Sequence, residues 1–174
     1  MTTHFSTTVF TANEAPLETP KARAFPKLLG ALSALIEAER DLEDTSYSQD
    51  PAYAAWMREA EVAHEHLTET LRHFNGLPNI NLADRPLERM ALLIDAMLGH
   101  EEPGGARKLQ LRMHLTFFRD FQVSGISATA MQRNAILIQA CHLVTALGAL
   151  PLFDGIAETT FSHDECSAWE NFSL

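Results

Sequence analysis

Residues 50–76 read DPAYAAWMREAEVAHEHLTETLRHFNG and predict one long amphipathic helix. Asp50-Pro51 is typical of an N-cap followed by proline in the first turn, and Asn75-Gly76 is a typical C-terminal stop. Apolar residues recur between them at spacings of three and four, which places them on one face: Tyr53, Trp56, Ala60, Ala63, Leu67, Leu71 and Phe74. Such a face must be covered by other elements, so the stretch indicates a helical bundle.

Similar patterns predict four further helices, giving an all-α bundle of five helices or of four plus one. The first runs from about Pro26 to Asp44, and the third opens near Pro86 and ends at Gly99. The fourth occupies residues 106–124. The fifth starts after an N-cap at Ser127 or Thr129 and ends before Pro151.

The fourth segment is ambiguous by pattern, because its apolar residues alternate with polar ones as in a strand: Leu109, Leu111, Met113, Leu115 and Phe117. Its residue types are helix formers, and β-branched residues are nearly absent, so we predict a helix. A basic stripe runs along it: Lys108, Arg112 and Arg119. Because the fourth and fifth helices are apolar on nearly all sides, we expect both to be buried and central.

A membrane span is the alternative for the fifth helix, but Gln139 and His142 interrupt an apolar run that is short for a bilayer. The chain's formal net charge of −10, from 23 acidic and 13 basic residues, disfavours nucleic acid as a partner. The cysteines, Cys141 and Cys166, form no disulfide or CxxC pattern. With no signal-peptide pattern at the N-terminus, we expect a soluble protein of the cytoplasm.

The predicted organisation has three parts. Residues 1–23 are expected to form a mobile N-terminal arm, residues 24–150 the helical bundle domain, and residues 151–174 an acidic C-terminal tail. In the tail, residues 162–165 have the spacing of a capping box. A short docking helix would then place Cys166, Trp169 and Phe172 on one face.

One candidate for chemistry is a transition-metal site. Glu61 and His64 form a Glu-x-x-His pair of the kind used in carboxylate-bridged bundles, and Glu37 on the first helix is a candidate partner. The chain has only one such pair, so a complete site would have to be assembled across a dimer. A solvated face of Glu and His side chains is the simpler interpretation.

A second candidate is DNA recognition, because residues 117–134 resemble the turn of a helix-turn-helix. Ser127, Thr129, Gln132 and Arg133 would face the groove. The bulky Phe121 before the turn glycine, the apolar continuation of the helix and the negative charge all disfavour this function.

No catalytic constellation, such as a GxSxG elbow or a phosphate-binding glycine loop, occurs in the sequence. We therefore predict an interaction or regulatory module, with no cofactor, rather than an enzyme. The apolar surplus of the fourth and fifth helices favours a homodimer that buries it.

Overall fold

Five α-helices make up the computed structural model, which describes residues 19–43, 52–102 and 104–153. Their bounds are α1 Pro20–Glu43, α2 Tyr53–Gly76, α3 Arg85–Leu98, α4 Gly105–Asp120 and α5 Ala128–Gly148. Two short 3₁₀ turns lie at Leu82–Asp84 and Pro151–Phe153. These ranges contain no strand, so the all-α bundle is confirmed, including a helix where the pattern alternates. Most of the predicted arm and tail lies outside the described residues.

Helix α1 begins at Pro20 and not near Pro26, which lies inside the helix. Thr19 acts as the N-cap, since its Oγ1 accepts a hydrogen bond of 3.1 Å from the backbone N of Ala22. Pro20 then occupies the first helical position, where a missing N–H costs nothing. The predicted start at Pro26 was wrong. Pro20 and Pro26 both suit a first turn, but only Pro20 follows a capping side chain, that of Thr19.

Helices α1 and α2 pack against each other along their apolar faces. Leu67, Leu71 and Phe74 of α2 are buried. The ring of Phe74 lies 5.6 Å from that of Phe25 on α1, within the range in which aromatic pairs attract one another. Tyr53, at the start of the predicted face, is only half-buried.

Helix α3 is the central element of the bundle, since it contacts each of the other four helices. It begins and ends within a residue of the predicted positions, after Asp84 and before Gly99. Its apolar face is fully covered: Leu87, Met90, Ala91, Ile94 and Met97 are buried.

The expectation that α4 and α5 are central was wrong. Helix α4 packs with one side against α3 and α5 and leaves Leu111, Leu115 and Phe118 exposed. On α5, Ile138 and His142 are among the exposed residues. Apolar composition measures how much surface a helix could bury, whereas the number of neighbouring helices decides how much it does bury. No helix in the described ranges is long and apolar enough to cross a membrane.

Candidate functional site

An uncharged exposed strip runs along α5. Met131 and Ile138 are 65% and 47% exposed, and Ala135, Gln139 and His142 lie on the same side of the helix. Exposed large apolar side chains on one helix face are typical of interaction surfaces. We call this set the α5 strip: Met131, Ala135, Ile138, Gln139 and His142.

The one charged residue of α5, Arg133, points into the core instead of toward the strip. Its side chain is fully buried, and its Nε lies 3.1 Å from Oδ1 of the equally buried Asp84. A second guanidinium nitrogen, Nη2, lies 3.4 Å from Oγ1 of Thr19. Arg133 therefore joins α5 to the capping residue of α1 and to the turn before α3. Sequence reasoning placed Arg133 at a DNA-facing surface, and that placement was wrong.

A second ion pair supports the same end of the bundle. Nζ of Lys21 lies 2.8 Å from Oε1 of Glu88, and Lys21 is almost fully buried. The ammonium group also lies 5.4 Å from the ring centre of Phe74, a cation–π distance. Sequence reasoning missed these partners, because helical periodicity does not report which residues of different helices meet.

An exposed apolar face also runs along α4, and we call it the α4 face: Leu111, Leu115 and Phe118. Leu115 and Phe118 are 88% and 81% exposed. The predicted basic stripe of Lys108, Arg112 and Arg119 is exposed along one side of this face. Apolar and cationic side chains are thus presented together on one helix.

Part of the basic stripe is already neutralised within α4. Arg119 pairs with the neighbouring Asp120, with two N–O distances of 3.0 Å. The guanidinium of Arg119 lowers the pKa of Asp120 to about 2. Lys108 and Arg112 are the other two basic residues of the stripe.

His114, Cys141 and Thr145 meet where α4 and α5 touch. The Thr145 hydroxyl donates to the carbonyl oxygen of Cys141 over 2.7 Å and lies 3.0 Å from Nε2 of His114. The Cys141 Sγ is 3.9 Å from Nδ1 of the same imidazole. Burial raises the pKa of the Cys141 thiol, which opposes formation of the reactive thiolate. The cluster joins two helices and does not supply an activated nucleophile.

The candidate metal ligands are only partly brought together. Exposed Glu61 and His64 line a surface groove of about 370 Å³ with Glu39 and Glu65. Glu37 does not line it, and its Oε1 accepts a hydrogen bond of 3.1 Å from Ser33. Within the described part of one chain, no three His, Cys, Asp or Glu side chains are grouped so that they could hold a metal ion. A site assembled across a dimer stays a prediction.

The segment resembling a helix-turn-helix forms a connection of residues 121–127 between α4 and α5. Asn134 holds it through two hydrogen bonds to Val123: the backbone N donates to Oδ1 over 2.8 Å, and Nδ2 donates to the carbonyl over 3.0 Å. Of the two predicted N-caps, Ser127 and Thr129, it is Ser127 that caps α5. DNA recognition stays a prediction. Arg133 is buried and cannot contact DNA from this position.

The α5 strip and the α4 face are thus two neighbouring exposed surfaces, one without charge and one beside basic side chains. Among known proteins, no protein-family model, no curated protein and no solved structure matches this chain.

Proposed function

We propose that the protein is a cytoplasmic interaction module and forms a homodimer through the α5 strip. The observation that carries this proposal is the exposure of Met131 and Ile138 on a helix whose single charged residue, Arg133, is buried. Burial of such apolar surface against a partner is favourable, because it removes the surface from water.

The absence of charge from the α5 strip favours a second copy as the partner. A two-fold axis places the same surface of each subunit against itself, so a charged strip would meet like charges. Ile138 and Met131 meet no such repulsion. Two-fold dimers are also the commonest oligomers.

The cytoplasmic location is proposed from the cysteines. Cys141 carries a free thiol, and the sequence has only one other cysteine, Cys166. Free thiols are typical of reducing compartments.

The dimer is tested by light scattering coupled to size-exclusion chromatography at micromolar concentration. We expect the unaltered chain to elute with twice its mass of 19.3 kDa. Ile138→Asp is expected to halve that mass, because two-fold symmetry would bring two carboxylates together in an apolar contact.

Val62→Asp is the matched control, since Val62 is a similarly exposed aliphatic residue on α2. It is expected to leave the dimer intact. A monomeric parent, or an Ile138→Asp protein that stays dimeric, contradicts the proposal.

Metal binding across a dimer is the second candidate function, favoured by the shared groove of Glu61 and His64. Elemental analysis of protein purified without chelator tests it, and stoichiometric iron, manganese or zinc is the expected result. A metal-free protein whose melting temperature does not change when these metals are added contradicts it.

A further inference from the structure

The α4 face combines an exposed apolar surface with basic neighbours. Leu111, Leu115 and Phe118 recur at spacings of four and three, which places them on one side of α4. Lys108 and Arg112 are exposed beside them. A partner for this surface needs apolar side chains interspersed with carboxylates, because opposite charges guide and stabilise association.

A second copy of α4 does not meet this requirement. Packing two α4 faces against each other would bring together two surfaces that both carry Lys108 and Arg112. Like charges placed together oppose association. The surface therefore differs from the α5 strip, and its occupant is independent of the proposed dimer.

Residues 154–174 have the required composition. They contain five carboxylates and no Lys or Arg: Asp154, Glu158, Asp164, Glu165 and Glu170. Large apolar residues lie among them, including Phe161, Trp169 and Phe172. The spacing of Trp169 and Phe172 would place both on one face of a helix.

The chain also leaves the described structure at the right place. The carbonyl oxygen of Phe153 accepts a hydrogen bond of 3.3 Å from the backbone N of Gly104, immediately before α4. Helix α4 has 16 residues and is about 24 Å long. The 21 residues from 154 to 174 span up to about 70 Å when extended, so they can follow the whole of α4.

The other terminal segment fits less well. Residues 1–18 join α1 at Thr19, whose side chain lies beside Arg133 near the start of α5. They carry only two carboxylates, Glu14 and Glu18. Charge and position both favour the C-terminal segment.

We propose that residues 154–174 bind along the α4 face of the same chain, with their carboxylates beside Lys108 and Arg112. Tethering next to α4 makes this binding intramolecular, which favours it over a free partner by effective concentration. The apolar side chains of α4 would then be covered until a competing partner displaces the segment.

The experiment uses the full chain with Trp56→Phe, so that Trp169 is the single tryptophan. Acrylamide quenching and the emission maximum report whether Trp169 is covered. Lys108→Glu combined with Arg112→Glu is expected to abolish protection from quenching and to shift emission to longer wavelength. Leu115→Ser combined with Phe118→Ser is expected to do the same by removing the apolar contact.

Arg58→Glu combined with Arg72→Glu makes the same charge change at exposed positions of α2, and it is expected to leave Trp169 protected. Circular dichroism of every variant checks that the bundle is folded. Protection that persists on dilution supports binding within one chain, whereas protection lost on dilution assigns the contact to a second copy and overturns the proposal. Equal quenching of Trp169 in the parent and both α4 variants also overturns it.

Discussion

Arg133 and Asp84 form an ion pair in which both side chains are completely buried. Oδ1 of Asp84 is bound by Arg133, whereas Oδ2 is a buried oxygen with no hydrogen-bond partner among the described residues. Removing two charges from water offsets much of their mutual attraction, so an intact buried pair adds little net stability. Losing one member is costly, because the remaining charge is buried alone.

Arg133→Met is therefore expected to lower the free energy of unfolding by about 3–5 kcal/mol. Combining Arg133→Met with Asp84→Leu is expected to recover most of that loss, since no charge then remains buried. Urea denaturation followed by circular dichroism measures both.

Arg119→Met is the control for the buried pair, because the Arg119 pair with Asp120 is largely exposed. Exposed pairs contribute about 1 kcal/mol or less. The burial argument is refuted when Arg133→Met costs no more than Arg119→Met.

Cys141 gives a residue-scale prediction about pH. Burial raises its thiol pKa, and the nearby Thr145 side chain lowers it by a smaller amount. In a Cys166→Ser background, we expect the rate of iodoacetamide alkylation to rise with pH with a midpoint above that of free cysteine, about 8.5. Below the midpoint the sulfur is protonated and unreactive.

Thr145→Val removes the hydroxyl group that lowers the thiol pKa, so the alkylation midpoint is expected to move to still higher pH. Thr68→Val is a matched control, because Thr68 makes the same hydroxyl bond to the carbonyl four residues earlier, on α2. A Cys141 midpoint at or below that of free cysteine would disprove the assignment.

Among the elements, α4 shows how residue type and pattern compete. Its alternating residues match a strand, yet Leu, Met, Gln, Arg and Lys are helix formers, and the segment folds as a helix. The sequence therefore predicted a helix here correctly, but the helix ends at Asp120 and not at residue 124. It did not predict the exposed α4 face, because coverage depends on where α3 and α5 lie.

The start of α4 depends on a glycine in a left-handed conformation. Gly104 has φ of 70°, a region that costs other residues roughly 1–2 kcal/mol. Gly104→Ala is expected to lower the free energy of unfolding by about that amount in urea denaturation.

Gly30→Ala should have the opposite effect. Gly30 lies exposed inside α1, and an added Cβ meets no atom within 4 Å. Alanine is favoured over glycine in a helix interior by about 0.5–1 kcal/mol. If Gly104→Ala and Gly30→Ala shift the free energy of unfolding in the same direction, backbone conformation does not govern these two sites.

For the described residues as a whole, sequence patterns predicted the all-α class and the five helices but not their arrangement. The central helix is α3, which has 14 residues and is the shortest of the five. Nothing in its periodicity distinguishes it from a peripheral helix. The apolar surplus behind the α5 strip was visible in composition, whereas the meeting of Asp84 with Arg133 depends on residues 49 positions apart.

The contact of Arg133 with Asp84 and Thr19 has a consequence for how the chain finds its fold. Apolar helix faces can be matched in several registers, because one leucine replaces another when a helix slides by a turn. A slipped bundle would bury Arg133 among apolar side chains without a counter-charge. An unpaired buried charge of this kind costs about 3–5 kcal/mol of stability. Thr19, 114 residues earlier in the chain, meets Arg133 only when α1 is correctly aligned. These three residues thus select one assembly among many that would bury equal amounts of apolar surface.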